Sequence, residues 1–379
     1  MTRGSGGGLP ARRQMLAWLA SVIATPQALA RVTSHESRVT RFAPVVPGYR
    51  LRFPHDEGSH PDFRLEWWYV TGWLQDSREA LGDAGKPLGF QVTFFRARPD
   101  LKHDNPSSFS PRQILIAHAA LSDPDRGRLI HVQRAARAGF ELAGAIEGRT
   151  DIWIDDWRLT RQKDAFLARV AERDLSFDLR FAATQPPLLQ GANGLSRKGP
   201  RPESASYYYS LPQLAVSGTV TREGKARPVN GTAWLDHEWS SEYLAREATG
   251  WDWIGINLDD GGALMAFRMR RQTGGDLWAG GALRSPDGRV RVFAPEEIRF
   301  TPRREWQSAR TGTRYPVAMT VRAGDVEYAI EPLFDDQEND VRASSGTIYW
   351  EGAVRALRDG RPAGRGYLEL TGYWRRLNL

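Results

Sequence analysis

The sequence predicts an all-β protein made of two related β-barrel-like halves. Three observations carry this reading. Aromatic and β-branched residues alternate with polar ones over short stretches. Gly, Pro, Asp and Asn separate these stretches, and long amphipathic helical patterns are scarce. The order of features in the first half returns in the second.

The N-terminus stands apart. Arg12-Arg13 opens a basic start, Met15 to Ala24 is apolar apart from Ser21, and Ala28-Leu29-Ala30 supplies the small residues of a cleavage site. This predicts an export signal over 1–30, resembling the twin-arginine type, rather than a spanning helix. Export by the twin-arginine or the general route stays open. The predicted location is periplasmic or secreted, and no later stretch is apolar enough to span a bilayer as a helix.

Strands are expected at 66–74, 90–96, 114–121, 175–181, 214–220, 231–239, 251–258, 263–269 and 367–374. The halves answer each other in order: 68–74 to 253–258, 89–96 to 262–268, 117–125 to 279–287, 174–179 to 325–330, and 218–235 to 352–368. A repeat this long indicates two copies of one domain. Each copy closes on itself, because closure removes exposed strand edges. The division is an extension at 31–63, a first domain at 64–245 and a second at 246–379. The stretch 185–202, rich in Pro, Gly and Asn, is a long loop of the first copy.

Composition removes several functions. The chain has 379 residues and no cysteine, so disulfides, a lipoprotein anchor and thiol catalysis are absent. The net charge of +7 comes from scattered arginines, with no basic run to bind nucleic acid. No phosphate loop or dinucleotide fingerprint occurs. The stretch Gly194 to Gly199 is one residue too long for a nucleophile elbow. No His pair shows ligand spacing, so neither a metal nor an organic cofactor is expected. The oligomeric state stays open.

Longer motifs then add a family. Residues 53–63 (FPHDEGSHPDF) and 66–72 (EWWYVTG) resemble the opening of AttH/CrtC-type lipocalin-like proteins. So do 204–210 (SASYYYS), 233–240 (AWLDHEWS), 250–253 (GWDW) and 346–352 (GTIYWEG), together spanning about 50–374. The resemblance implies two tandem lipocalin-like β-barrel domains related by internal duplication. The family includes carotenoid 1,2-hydratases, only distantly similar to this chain, and predicted secreted hydrolases.

Comparing the halves points to candidate residues. His118 matches Gly280; Asp236-His237-Glu238 falls where the second half reads Glu369-Leu370-Thr371; Glu66 precedes Trp67, whereas Trp251 stands ahead of Asp252-Trp253. Residues two apart in a strand share a face. His237 therefore points with Leu235 and Trp239 toward an interior, away from Asp236 and Glu238. Asp252 shares a face with Ile254 and Ile256, where lost hydration would keep it protonated, as a general acid requires. Glu66 shares a face with Trp68, and Arg64 is a candidate ion-pair partner.

Candidate catalytic residues are thus His237, Asp252, Asp236, Glu238 and Glu66. Candidate ligand-binding residues are Trp68, Tyr69, His118, Tyr207, Tyr208, Trp239, Trp251 and Trp253. Resemblance to the hydratases implies that Asp252 protonates an isolated C=C bond, aromatic faces stabilise the cation and His237 activates water. An ester or lactone hydrolase, or a non-catalytic carrier of an apolar ligand, fits the same residues. An enzyme needs His237 and a second ionisable group, Asp252 by this reading, to face one cavity, whereas a carrier would show a wide apolar cavity with those groups outside it.

Overall fold

The computed structural model describes residues 42–77, 86–99, 107, 110 and 112–377. The expected signal at 1–30 lies outside them. Apart from short 3₁₀ turns at His55–Glu57 and Pro295–Glu297, the regular structure is strand. Among the described residues no helix is long and apolar enough to cross a membrane.

The first sheet holds β1 (Leu65–Asp76), β2 (Leu88–Ala97), β3 (Ile114–Asp123), β4 (Arg128–Arg137), β5 (Ala143–Ala145), β6 (Asp151–Ile154) and β7 (Trp157–Gln162). It continues with β8 (Ala165–Ala171), β9 (Leu175–Ala182), β10 (Leu188–Leu189), β11 (Leu195–Arg197), β12 (Ala205–Arg222) and β13 (Lys225–Ser240). The second holds β14 (Ala248–Leu258), β15 (Ala263–Arg271), β16 (Asp276–Arg284), β17 (Val290–Phe293) and β18 (Ile298–Gln307). Its remaining strands are β19 (Arg314–Ala323), β20 (Val326–Pro332), β21 (Glu338–Val341), β22 (Thr347–Arg358) and β23 (Arg361–Leu370).

The strand order is 4-3-2-1-13-12-9-8-7-6-5 in the first sheet, with β10 and β11 paired along β12. In the second it is 17-16-15-14-23-22-20-19-18, with β21 paired to β22. The orders correspond from β4 and β17 through β1 and β14, β13 and β23, to β7 and β18; β6 and β5 have no counterpart in the second sheet. Part of the stretch expected as a loop at 185–202 is β10 and β11, held by backbone pairing to β12.

Two closed barrels, however, are not what the chain builds. The first sheet curls until β4 lies against β6 and β9, a near-barrel. The second sheet stays open, with β17 and β18 at its two ends. The reason lies in those strands. β17 has only four residues. β18 carries Pro302, two register breaks, and exposed Arg299, Arg303 and Arg304. A proline without an N–H, bulges and charges protect an open edge against further pairing. The last strand also stops at Leu370 rather than reaching the expected 374.

Three apolar clusters follow. One fills the first sheet with Trp68, Phe90, Phe94, Phe181 and Trp239 among others. Another fills the second with Ile254, Ile256, Tyr315 and Trp350. The third lies between the sheets, where Tyr69, Trp73, Trp234 and Tyr208 meet Trp253, Phe267 and Tyr367. Each fully buried Phe or Leu stabilises by roughly 1.5–3 kcal/mol. The sheets approach closely at Gly89: a Cβ there would fall 2.4 Å from Ala353 Cβ and 2.8 Å from the Tyr367 hydroxyl. Trp73 Nε1 donates across the same layer to the Gly366 carbonyl at 3.0 Å.

Candidate active site

Alternation along β1, β12 and β13 puts Glu66, Trp68, Tyr207, Tyr209, His237 and Trp239 inside the first sheet. Trp68 lies opposite His237, Glu66 opposite Trp239, and Tyr209 opposite His237 on the other flank. The segment before β1 adds His60. Its ring stacks on Trp239, centroids 3.7 Å apart, while His237 stacks on Trp68 at 4.6 Å.

Glu66 is the hub. Its Oε1 lies 2.7 Å from His60 Nδ1 and 3.0 Å from His237 Nε2. Its Oε2 accepts from Arg96 Nε at 2.7 Å and Ser59 Oγ at 3.1 Å. The ion-pair partner is thus Arg96 on β2, directly across the ladder, and not the expected Arg64. Behind His60, Asp56 Oδ1 is 3.7 Å from Nε2. Behind His237, the Tyr209 hydroxyl is 3.3 Å from Nδ1.

The electrostatics separate the two imidazoles. Burial alone would raise Glu66, but the Arg96 and His60 charges hold it well below its usual value. Burial pushes His237 down to about 4, against the pull of Glu66. Burial also works against the charge on His60, yet Glu66 and Asp56 together raise it. Glu66 and Asp56 thus favour the proton on His60 while burial keeps His237 neutral, with both rings on one carboxylate. A carboxylate only accepts, which favours the His237 proton on Nε2 facing Glu66, while the Asp56 backbone is a second acceptor acting on the ring. Arg96 Nη1 is a buried donor without an acceptor, and His60 Nε2 has only the Asp56 carboxylate, at 3.7 Å.

The remaining candidates lie elsewhere. Asp252 is inside the second sheet, with Arg268 Nε at 2.8 Å, Arg270 Nε at 2.9 Å and the Tyr373 hydroxyl at 3.0 Å. Two guanidinium groups clamp it, so it is an ion-paired anchor and not a spare acid. The structure does not bring it together with His237.

Asp236, Glu238, Tyr69, Tyr208, His118, Trp251 and Trp253 occupy the layer between the sheets. Asp236 accepts from the Tyr208 hydroxyl at 2.6 Å, and burial raises it to about 7. Glu238 pairs with Lys198 at 2.7 Å. His118 reaches the Tyr349 hydroxyl and Ser344 Oγ, both at 3.0 Å, and burial lowers it to about 3. Trp253 Nε1 donates to the Tyr208 hydroxyl at 3.0 Å, and Trp251 Nε1 to Glu369 at 2.7 Å.

Strand register also corrects the comparison of the halves. Glu66 faces Arg96 on β2, and Asp252 faces Arg268 on β15. Trp67 faces Glu238, and Trp253 faces Glu369. The counterpart of Glu238 is thus Glu369, two residues off the sequence matching and on the same face, while the counterpart of Glu66 is Asp252, one residue off. On a pleated strand that slip exchanges the two faces. The site residues missing from the sequence candidates are His60 and Arg96. Arg96 alternates with Val92 and Phe94, and an arginine on an apolar face needs a carboxylate. His60, Glu66 and His237 are also the one metal-compatible trio among the described residues, their ligand atoms within 4.8 Å of one another. Both imidazoles there are hydrogen-bonded to the carboxylate, and the Arg96 guanidinium already pairs with it.

Known proteins agree with this architecture. The AttH-like family model matches residues 44–373. A putative AttH from Nitrosomonas europaea is 54% identical, covers 88% of this chain and 100% of its own, and superposes with a TM-score of 0.81. Kievitone hydratase from Nectria haematococca is 13% identical over 88% of this chain and 96% of its own, with a TM-score of 0.65. CghA is 12% identical over 87% and 96%, with a TM-score of 0.50. The last two likenesses concern the fold alone. No curated protein matches. The chain belongs to the AttH-like family.

Proposed function

We propose that the chain is an exported acid–base enzyme that adds water to a polarised double bond of a small apolar molecule. The bond is the carbonyl of an ester or lactone, or a C=C conjugated to a carbonyl. The observation that carries this is the pair of imidazoles on Glu66, ring centroids 5.6 Å apart, one pushed up by the neighbouring carboxylates and the other pushed down by burial. Environments that push two titratable groups apart assign the acid and the base.

In this mechanism the substrate oxygen takes a hydrogen bond from His60 Nε2, with Arg96 Nη1 a further donor to the developing charge. Water gives one proton to His237 Nδ1 as its oxygen bonds to the electrophilic carbon. His60 Nε2 supplies the proton that the substrate gains, which for an ester or lactone goes to the leaving oxygen as its C–O bond breaks. Solvent takes the proton from His237 Nδ1 and returns one to His60 Nε2 as product leaves, while Glu66 holds both rings. Trp68, Trp239, Tyr207 and Tyr209 provide apolar walls. An isolated C=C is a poorer fit, because an imidazolium is a weak acid for a bare alkene and Asp252 is clamped elsewhere. The side chain of His60 is 12% exposed while Glu66 and His237 are closed off, so access lies beside His60.

The test is a panel of esters, lactones and enones with purified protein. Turnover should fall by roughly 10²–10⁴-fold in His237→Ala and His60→Gln. Turnover unchanged in both variants overturns the reading; tight binding without product in the unmutated protein makes it a carrier. We also propose that 1–30 is removed on export and that 64–245 and 246–379 are its domains. Intact-mass analysis of periplasmic protein beginning at Met1 would refute the first of these. Proteolysis that never cuts between 240 and 248 would refute the second.

A further inference from the structure

The proposed reaction leaves His60 with a proton to regain, and the segment ahead of β1 holds a route for it. The 3₁₀ turn His55–Glu57 puts Asp56, fully buried, behind His60. The two oxygens of Asp56 have different neighbours. Oδ2 accepts from the Tyr49 hydroxyl at 2.8 Å and from the Arg52 amide at 2.7 Å. The Asp56 amide in turn donates to the Arg52 carbonyl at 2.7 Å, which fixes the carboxylate in place. Oδ1 lies between two imidazoles, 2.7 Å from His55 Nδ1 and 3.7 Å from His60 Nε2.

Exposure puts the three groups in order. The side chain of His55 is 59% exposed and that of Asp56 is closed off. The His60 ring touches the surface, but its Nε2 is buried. Its other nitrogen, Nδ1, is on Glu66. Among the described residues, Asp56 Oδ1 is thus the polar atom that leads from Nε2 outward, and His55 is the next. Burial alone would raise Asp56, but hydrogen bonds from His60, His55 and the Arg52 amide hold it well below the usual carboxylate range. Such an oxygen hands a proton on and does not keep it.

We propose that His55, through Asp56 Oδ1, relays protons from solvent to His60 Nε2; this rests on His60 being the acid of the reaction above. Once the substrate has taken the Nε2 proton, His60 keeps its proton on Nδ1 and has a lone pair at Nε2. Solvent protonates the exposed ring of His55, since imidazole exchanges protons with buffer near neutrality. The proton on His55 Nδ1 crosses to Oδ1, and from Oδ1 to His60 Nε2. Asp56 is then a carboxylate again, His60 an imidazolium and His55 neutral, and exchange with water at the exposed ring restores His55. The step at His60 closes its gap by about 1 Å, to the roughly 2.7–2.9 Å of a charge-assisted bond. Acid–base contacts are often this long before the substrate is in place.

The experiment reads His60 without any substrate, so the relay and the enzyme reading can fail separately. Nitrogen-edited NMR of the full chain follows exchange of the His60 Nε2 proton with water. His55→Ala should slow this exchange about tenfold, and imidazole added to the buffer should restore it by entering the space the ring left. His55→Phe fills that space without a nitrogen, so it should slow exchange equally and resist rescue. With a substrate found by the panel, His55→Ala should lower kcat about tenfold at unchanged KM, with the same rescue by imidazole. Exchange unchanged in either variant, or not restored by imidazole in His55→Ala, would overturn the relay. Slowed and rescued exchange with no turnover of any compound would keep the relay and remove the reaction proposed for His60.

Discussion

At matching places inside the two sheets, a carboxylate faces an arginine across the ladder: Glu66 with Arg96, and Asp252 with Arg268. What surrounds each pair differs. Around Asp252 the other partners are Arg270 and Tyr373, groups that do not exchange protons near neutrality. Around Glu66 they are two imidazoles, His60 raised by the carboxylates beside it and His237 pushed down by burial. The acid–arginine pair is thus common to both halves and belongs to the architecture, while the histidines belong to the first half alone. That difference separates a structural ion pair from a candidate catalyst more cleanly than the carboxylates do.

The sharpest way to break the comparison is to remove each carboxylate. Glu66→Ala leaves Arg96 and His60 buried without their anion, and this should cost about 3–5 kcal/mol. Asp252→Ala should cost about as much by the same argument. Denaturant midpoints check both. A loss below about 1 kcal/mol at either site would show that the pair is not the anchor we describe.

Next in size is the conversion of one half toward the other. His237 faces Trp68, and its counterpart by register is Leu368, which faces Ile254. His237→Leu should keep the fold, because Leu fills the site without a buried polar atom. Turnover of a substrate found by the panel should fall by roughly 10²–10⁴-fold, while Asp252→Asn, if it folds, keeps most of it. Equal losses from both substitutions would erase the distinction between the halves.

Much of this was legible in the sequence, and the failures have physical causes. Alternation assigned the faces of His237, Glu66 and Trp68 correctly, because the pleat has a strict period of two. It also put Asp252 on an inner face. It did not say which interior: β1 and β14 belong to different sheets, and a shared pattern within a strand is silent about the partner strands. Arg268, Arg270 and Tyr373 are 16, 18 and 121 residues from Asp252. Closure was over-read for a related reason. Pro302 and the arginines of β18 were visible, but only the ladder shows that they stand on an edge.

A smaller effect is the acid limb of stability. His237 is pushed down to about 4 when folded, against roughly 6.5 when unfolded. The unfolded chain therefore takes up the proton first. This contribution is intact above pH 6.5 and is lost as pH falls from there toward 4, by about 3 kcal/mol. His60, raised in the folded state, works the other way and loses its contribution as pH rises. Subtracting the His237→Leu profile from that of the unmutated protein isolates the first slope. A flat difference between pH 6.5 and 4 would mean that His237 is not held neutral.

Tyr209→Phe is the mildest change and tests the tautomer. The phenol is 3.3 Å from His237 Nδ1, a long bond, so its loss should cost only about 0.5–1.5 kcal/mol. The proton should remain on Nε2 without it, because Glu66 has no hydrogen to give and demands a donor at 3.0 Å. Ring nitrogen NMR reads this directly, as two unlike nitrogen shifts with the proton coupled to Nε2 in both proteins. A proton on Nδ1 would place the lone pair against Glu66, where no water could reach it. His237 would then have no role as the base, and the first half would hold only a hydrogen-bonded counterpart of the Asp252 clamp.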